Sequence, residues 1–135
     1  MQRIISRLHQ GLVLIFSVGL LVQIYLAGAP MFGVTTFQPH RMLGTVLVVL
    51  AILIPVLALL GRLERQTIGL SLLLAVLAIV QGVLPALRVA VPWLAALHSI
   101  NALALIGISI RIGRRRRAEA LPVRPGVNTV SILNP

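Results

Sequence analysis

Two glutamine–histidine pairs hold most of the chemistry this sequence can offer. Gln23 precedes His40 by 17 residues, and Gln81 precedes His98 by 17 residues. The pairs lie 58 positions apart, and the same offset superimposes Arg7 on Arg65, Gly11 on Gly69, Leu12 on Leu70, Val22 on Val80 and Leu47 on Leu105 without a gap. Neutral imidazole ligates a metal through one ring nitrogen while the other is fixed by a hydrogen bond. Two such rings at matched positions of a duplicated unit can face each other across a twofold axis. The ligand that suits them is a metal centre with two axial positions, haem b before others, with His40 and His98 as the metal ligands.

The elements that must position these rings are membrane helices. The 135 residues are 59% hydrophobic, and the mean hydropathy is +1.05. A soluble domain of this length leaves too much surface exposed to hide so much apolar area. Four apolar stretches have the length that crosses a bilayer: Gln10 to Ala29, His40 to Leu60, Thr67 to Leu87, and Trp93 to Ile112. Their apolar runs are continuous, not alternating, which points to helices over a membrane barrel. The fold class read from this is all-α: an integral membrane four-helix bundle built from two parallel-repeat helical hairpins, about 7–60 and 65–112. The bundle spans 1–113, and a basic tail follows over 114–135.

All twelve basic residues are arginine, and the only acidic residues are Glu64 and Glu119. The arginines sit at segment ends, so the net charge of +10 describes orientation and argues against a nucleic-acid partner. With a cytoplasmic N-terminus, only Arg41 and Arg88 fall outside. The positive-inside rule then predicts a multi-pass protein of the cytoplasmic membrane, in contact with the lipid bilayer and with both termini inside. The absence of cysteine excludes disulfides, thiolate ligands and covalent haem attachment. Ala27-Gly28-Ala29 resembles a signal-peptidase site, but the preceding run is long for a signal and contains Gln23, so the segment reads as a retained helix.

Local signals place the boundaries. Thr36 caps the second helix, Pro39 sits in its tolerant first turn, Pro55 kinks it, and Pro92 opens the fourth helix. Gly19 and the Ala27-Gly28 pair are expected to be close-packing positions. His9, beside Arg7 at the inner end, reads as interfacial.

Around the histidines, Gly44 and Ala102 lie one turn on, at equivalent repeat positions and on the same helix faces. Small residues there let a flat macrocycle approach the backbone. Asn101 is placed to reach a propionate or an imidazole's second nitrogen, and Arg41 and Arg88 to pair with propionates. Gln23 and Gln81 are each expected to hold the histidine of their own half.

At HRMLG (His40 to Gly44) and LHSINA (Leu97 to Ala102) the sequence resembles an uncharacterised bacterial family of small four-span membrane proteins. The architecture also resembles half of haem A synthase and, more loosely, the four-helix b-type cytochromes. That resemblance implies haem ligation by His40 and His98. It does not extend to haem modification, because no acidic residue lies inside a span to stand for the synthase's glutamate.

The function expected is therefore a membrane b-type haem protein, an electron carrier or redox subunit near the outer face, served by a quinol or a partner redox protein. Imidazoles on both iron faces leave no open position, so electron transfer or an accessory role is favoured over catalysis. The alternative is a non-catalytic structural subunit of a larger membrane complex, binding a chlorophyll-type pigment or no cofactor. A triad or paired-carboxylate hydrolase cannot be assembled from two glutamates on the cytoplasmic side.

Overall fold

Continuous apolar runs leave the backbone no partner but itself, and the chain answers with helices. The computed structural model describes residues 1–120, with side chains as far as Arg115. The remainder of the basic tail, 121–135, lies outside the described residues. The order is α1 (Gln2–Gly28), a 3-10 turn (Ala29–Phe32), α2 (Gln38–Leu60), α3 (Arg65–Val83), a second 3-10 turn (Leu84–Arg88) and α4 (Pro92–Ala120). No strand occurs among the described residues.

Each helix carries an apolar window long enough to cross a membrane, with mean hydropathy from 1.7 to 3.0. The outward faces are equally apolar: Leu14, Leu21, Val49, Ile52, Leu72 and Ile110 are all exposed. An apolar surface on every side, over helices of this length, marks a multi-pass membrane protein. Tyr25 and Trp93 are exposed near the helix ends, where interfacial aromatics sit.

The boundary signals act largely as expected. Pro39 occupies the first turn of α2, and the Thr36 hydroxyl accepts the Gln38 N–H at 3.3 Å, although Phe37 takes the cap position itself. Pro92 is the first residue of α4. Gly33, at φ +69°, closes the first 3-10 turn in the left-handed conformation that glycine adopts without penalty. α2 remains a continuous helix around the buried Pro55.

Two helices run beyond their apolar cores. α1 begins at Gln2 and takes in Arg3 and Arg7, and α4 continues through the arginine run to Ala120. Arginine is a good helix former, and its long stem carries the charge out to water. The helix therefore does not stop where the hydropathy does.

The helices pack in a ring. α1 packs on α2, α2 on α3, α3 on α4, and α4 closes back onto α1. Among the described residues the backbones of α1 and α3 stay apart, as do those of α2 and α4, so these are the two diagonals. The duplication is written into the core. Buried residues pair at the offset of 58 seen in the sequence: His9 with Thr67, Val13 with Ser71, Phe16 with Leu74, Leu20 with Ala78, Leu47 with Leu105, Ala51 with Ser109, and Ile54 with Ile112. Both hairpins thus turn the same face inward. Gly19 lets α1 and α2 approach closely, since a Cβ there would stand 2.5 Å from Leu47 Cδ2. At Gly28 nothing stands within 4 Å of where a Cβ would be, so it is not a close-packing position.

Candidate functional site

His40 and His98 lie near the starts of the two helices of one diagonal, in the first turn of α2 and the second turn of α4. Their rings meet inside that end of the bundle, with centroids 6.2 Å apart and planes inclined at 65°. Both are half-buried.

Each ring is anchored by the preceding helix of its own hairpin. His40 Nδ1 lies 3.3 Å from the backbone carbonyl of Gln23, and His98 Nδ1 lies 3.1 Å from that of Gln81. A carbonyl only accepts, so Nδ1 is the protonated nitrogen in both rings. The neutral rings therefore carry their lone pairs on Nε2. Sequence equivalence has become geometric equivalence: the same atom, the same partner, the same spacing of 17 residues.

The side-chain amides differ between halves. In the second hairpin the Gln81 amide nitrogen donates to His98 Nε2 at 3.2 Å. The Gln81 amide oxygen accepts from Asn101 Nδ2 at 2.7 Å, and the same nitrogen donates to the Leu77 carbonyl at 2.8 Å. These bonds close on themselves and tie α4 to α3. Asn101 thus reaches His98 only through the Gln81 amide. In the first hairpin the position equivalent to Asn101 is Leu43, which has no donor to offer. The buried Gln23 Oε1 accordingly has no hydrogen-bond partner. Its amide nitrogen lies over Gly44, where a Cβ would come within 2.9 Å of it. The small residue after His40 makes room for Gln23.

The remaining expected site residues lie less centrally. Ala102 is half-buried on the same face as His98. Arg41 and Arg88 are exposed, and neither forms an ion pair with a described residue.

A second polar cluster lies at the opposite end and across the other diagonal. His9 is fully buried, not interfacial, and its Nε2 stands 3.3 Å from Ser71 Oγ. Ser71 in turn donates to the Thr67 carbonyl at 2.8 Å. The signal for this cluster was present in the repeat. His9 and Thr67 are equivalent positions, both polar, and Val13 and Ser71 follow one turn later on the same face. At that end Glu64 and Arg115 also join α3 to α4 through an exposed ion pair at 2.7 Å.

Three comparisons bear on identity. No curated protein and no solved structure matches the chain, so the likeness to haem A synthase and b-type cytochromes finds no support there. Residues 23–88 match the model of a family of unknown function (DUF6220). The match begins at Gln23 and includes His40, Gln81 and Arg88, which makes the chain similar to that family over the first glutamine–histidine pair and the start of the second.

Proposed function

We propose that the protein is a b-type haem protein of the cytoplasmic membrane, with His40 and His98 as the residues that would hold the metal. The observation that carries this reading is the approach of two equivalent imidazoles across a diagonal, each held at Nδ1 by a backbone carbonyl. A carbonyl on the far nitrogen is the usual support of a metal-bound histidine, because it fixes the tautomer and raises ligand basicity. The spacing also suits the group. Two imidazole–metal bonds of about 2 Å each, with the reach from each ring centroid to its nitrogen, would span a distance on the order of the 6.2 Å between these rings. The separated backbones of α2 and α4 leave the diagonal to side chains alone.

His40 and His98 would hold the iron, and the Gln81 amide would swing off His98 Nε2 to release its lone pair. Gln23 Oε1, buried without a donor, would accept one from water. Arg41 and Arg88 stand at that end to neutralise carboxylates near the surface. Such a group, when bound, would supply one-electron transfer. The chain's own part is to set the ring orientation and to keep the site apolar. The arginines crowd the other end, and by the positive-inside rule this favours an outer-face position for the histidines. One site near that face suits an electron carrier or redox subunit working with a quinol or a partner redox protein.

A second reading has one observation in its favour. The Gln81, His98 and Asn101 side chains satisfy one another, as interhelical polar contacts in a purely structural subunit do. A pyridine-haemochrome assay on protein purified after expression with ample haem separates the two. Haem b in near-stoichiometric amount, lost in both His40→Ala and His98→Ala, is the expected result. Absence of a Soret band, or a band indifferent to both substitutions, overturns the proposal in favour of a structural role. A magnesium-pigment spectrum assigns the pair to pigment.

A further inference from the structure

A groove of about 420 Å³ opens on the outside of the bundle between α1 and α2, at the end away from His40 and His98. Its walls are apolar: Gly11 and Ile15 from α1, and Leu53, Val56 and Leu57 from α2. Gly11 leaves it open, since nothing stands within 4 Å of where a Cβ would be. Arg7 completes the lining at the end toward the start of α1. Arg7 is exposed and forms no ion pair with any described residue. From Arg7 to Ile15 the helix rises about 12 Å, so a cation caps an apolar channel several methylenes long.

We infer that this groove binds one anionic phospholipid, with an acyl chain against Gly11 and Ile15 and the phosphate on Arg7. The charge and the shape both select this occupant. Arginine forms paired hydrogen bonds to phosphate, and an apolar channel accepts a chain without desolvating anything polar. The repeat supplies an internal contrast. At the offset of 58, Gly11 maps to Gly69 and Arg7 to Arg65, but Leu53, Val56 and Leu57 map to Arg111, Arg114 and Arg115. The second hairpin therefore lacks the apolar wall, and Arg115 there is bound to Glu64. Only the first hairpin combines a free arginine with an apolar channel.

Native mass spectrometry of the full chain, with phosphatidylglycerol and phosphatidylcholine of matched acyl chains, tests this. One phosphatidylglycerol should be retained per chain at low salt, with a preference of about fivefold over phosphatidylcholine, the effect of one interfacial arginine. Arg7→Gln should remove the preference, Gly11→Leu should remove retention of both lipids, and Arg65→Gln should change neither. Equal retention of the two lipids by the wild-type chain overturns the proposal. So does an equal loss in Arg65→Gln, which would show general attraction to the arginine-rich end. A lipid-independent dimer broken by Gly11→Leu would assign the groove to a second copy instead.

Discussion

Both ring nitrogens of His98 lead to Gln81: Nδ1 donates to its backbone carbonyl at 3.1 Å, and Nε2 accepts from its side-chain amide at 3.2 Å. The first bond survives any substitution at Gln81, and the second does not. Gln81→Leu should therefore leave His98 in place and leave the Asn101 amide with the Leu77 carbonyl as its acceptor. The cost expected from the lost bonds is about 1–2 kcal/mol, read as a lower unfolding midpoint in detergent micelles. Haem occupancy should not fall, because Nε2 is freed by the same change. A fall in occupancy with folding intact would mean that the side chain itself retains the ligand.

His9 lies at the other end of the bundle and on the other diagonal, so its contribution should be to stability alone. It is fully buried and bonded to Ser71. His9→Ala removes a ring from a closed core and a partner from a buried hydroxyl. The expected loss is roughly 2–4 kcal/mol, most of it from the space left behind. Soret absorbance per folded chain should be unchanged. If it disappears while the chain remains helical, His9 belongs to the ligand site after all.

What the sequence made legible was whatever the duplication repeats. The four spans, the shared inward face and the meeting of His40 with His98 all follow from one offset, because a twofold axis makes equivalent residues equivalent in space. What it concealed was whatever breaks the repeat. Leu43 in place of Asn101 decides which glutamine is satisfied, yet a leucine in a membrane helix attracts no notice. The location of His9 was hidden differently. Arg3 and Arg7 look like the end of a span, but helical hydrogen bonding ignores hydropathy and α1 starts at Gln2. His9 then falls more than a turn inside the helix, on the face that also buries Val13 and Phe16.

Gly19 and Gly28 both lie on α1 and differ in what they face. At Gly19 a methyl group would meet Leu47, itself a core residue, while at Gly28 it would meet nothing. Gly19→Ala should destabilise the α1–α2 contact by about 1–3 kcal/mol, the usual range for overpacking a closed core. Gly28→Ala should be neutral or slightly stabilising, since alanine is the better helix former. Unfolding midpoints of the two single variants, compared in one detergent, check the contrast. Equal effects would mean that the close approach at Gly19 is relieved by rotation of Leu47.

The asymmetry between the two glutamines can be removed by copying one half onto the other. Leu43 is the repeat counterpart of Asn101, and Gln23 Oε1 is buried without a donor. Leu43→Ala loses apolar contacts of α2 with the core and returns nothing. Leu43→Asn loses the same contacts but places an amide where Asn101 serves Gln81. The asparagine variant should therefore be the more stable of the two, by roughly 1 kcal/mol for one added hydrogen bond. In a Gln23→Leu background the advantage should shrink, because the side-chain acceptor is gone and only the Gly19 carbonyl, the repeat counterpart of Leu77, is left, and the resulting cycle isolates the Gln23–Asn pair. Persistence of the full advantage in that background would place the asparagine's partner elsewhere. A stabilised Leu43→Asn protein that also takes up less haem would show that the space beside Gln23 belongs to the bound group.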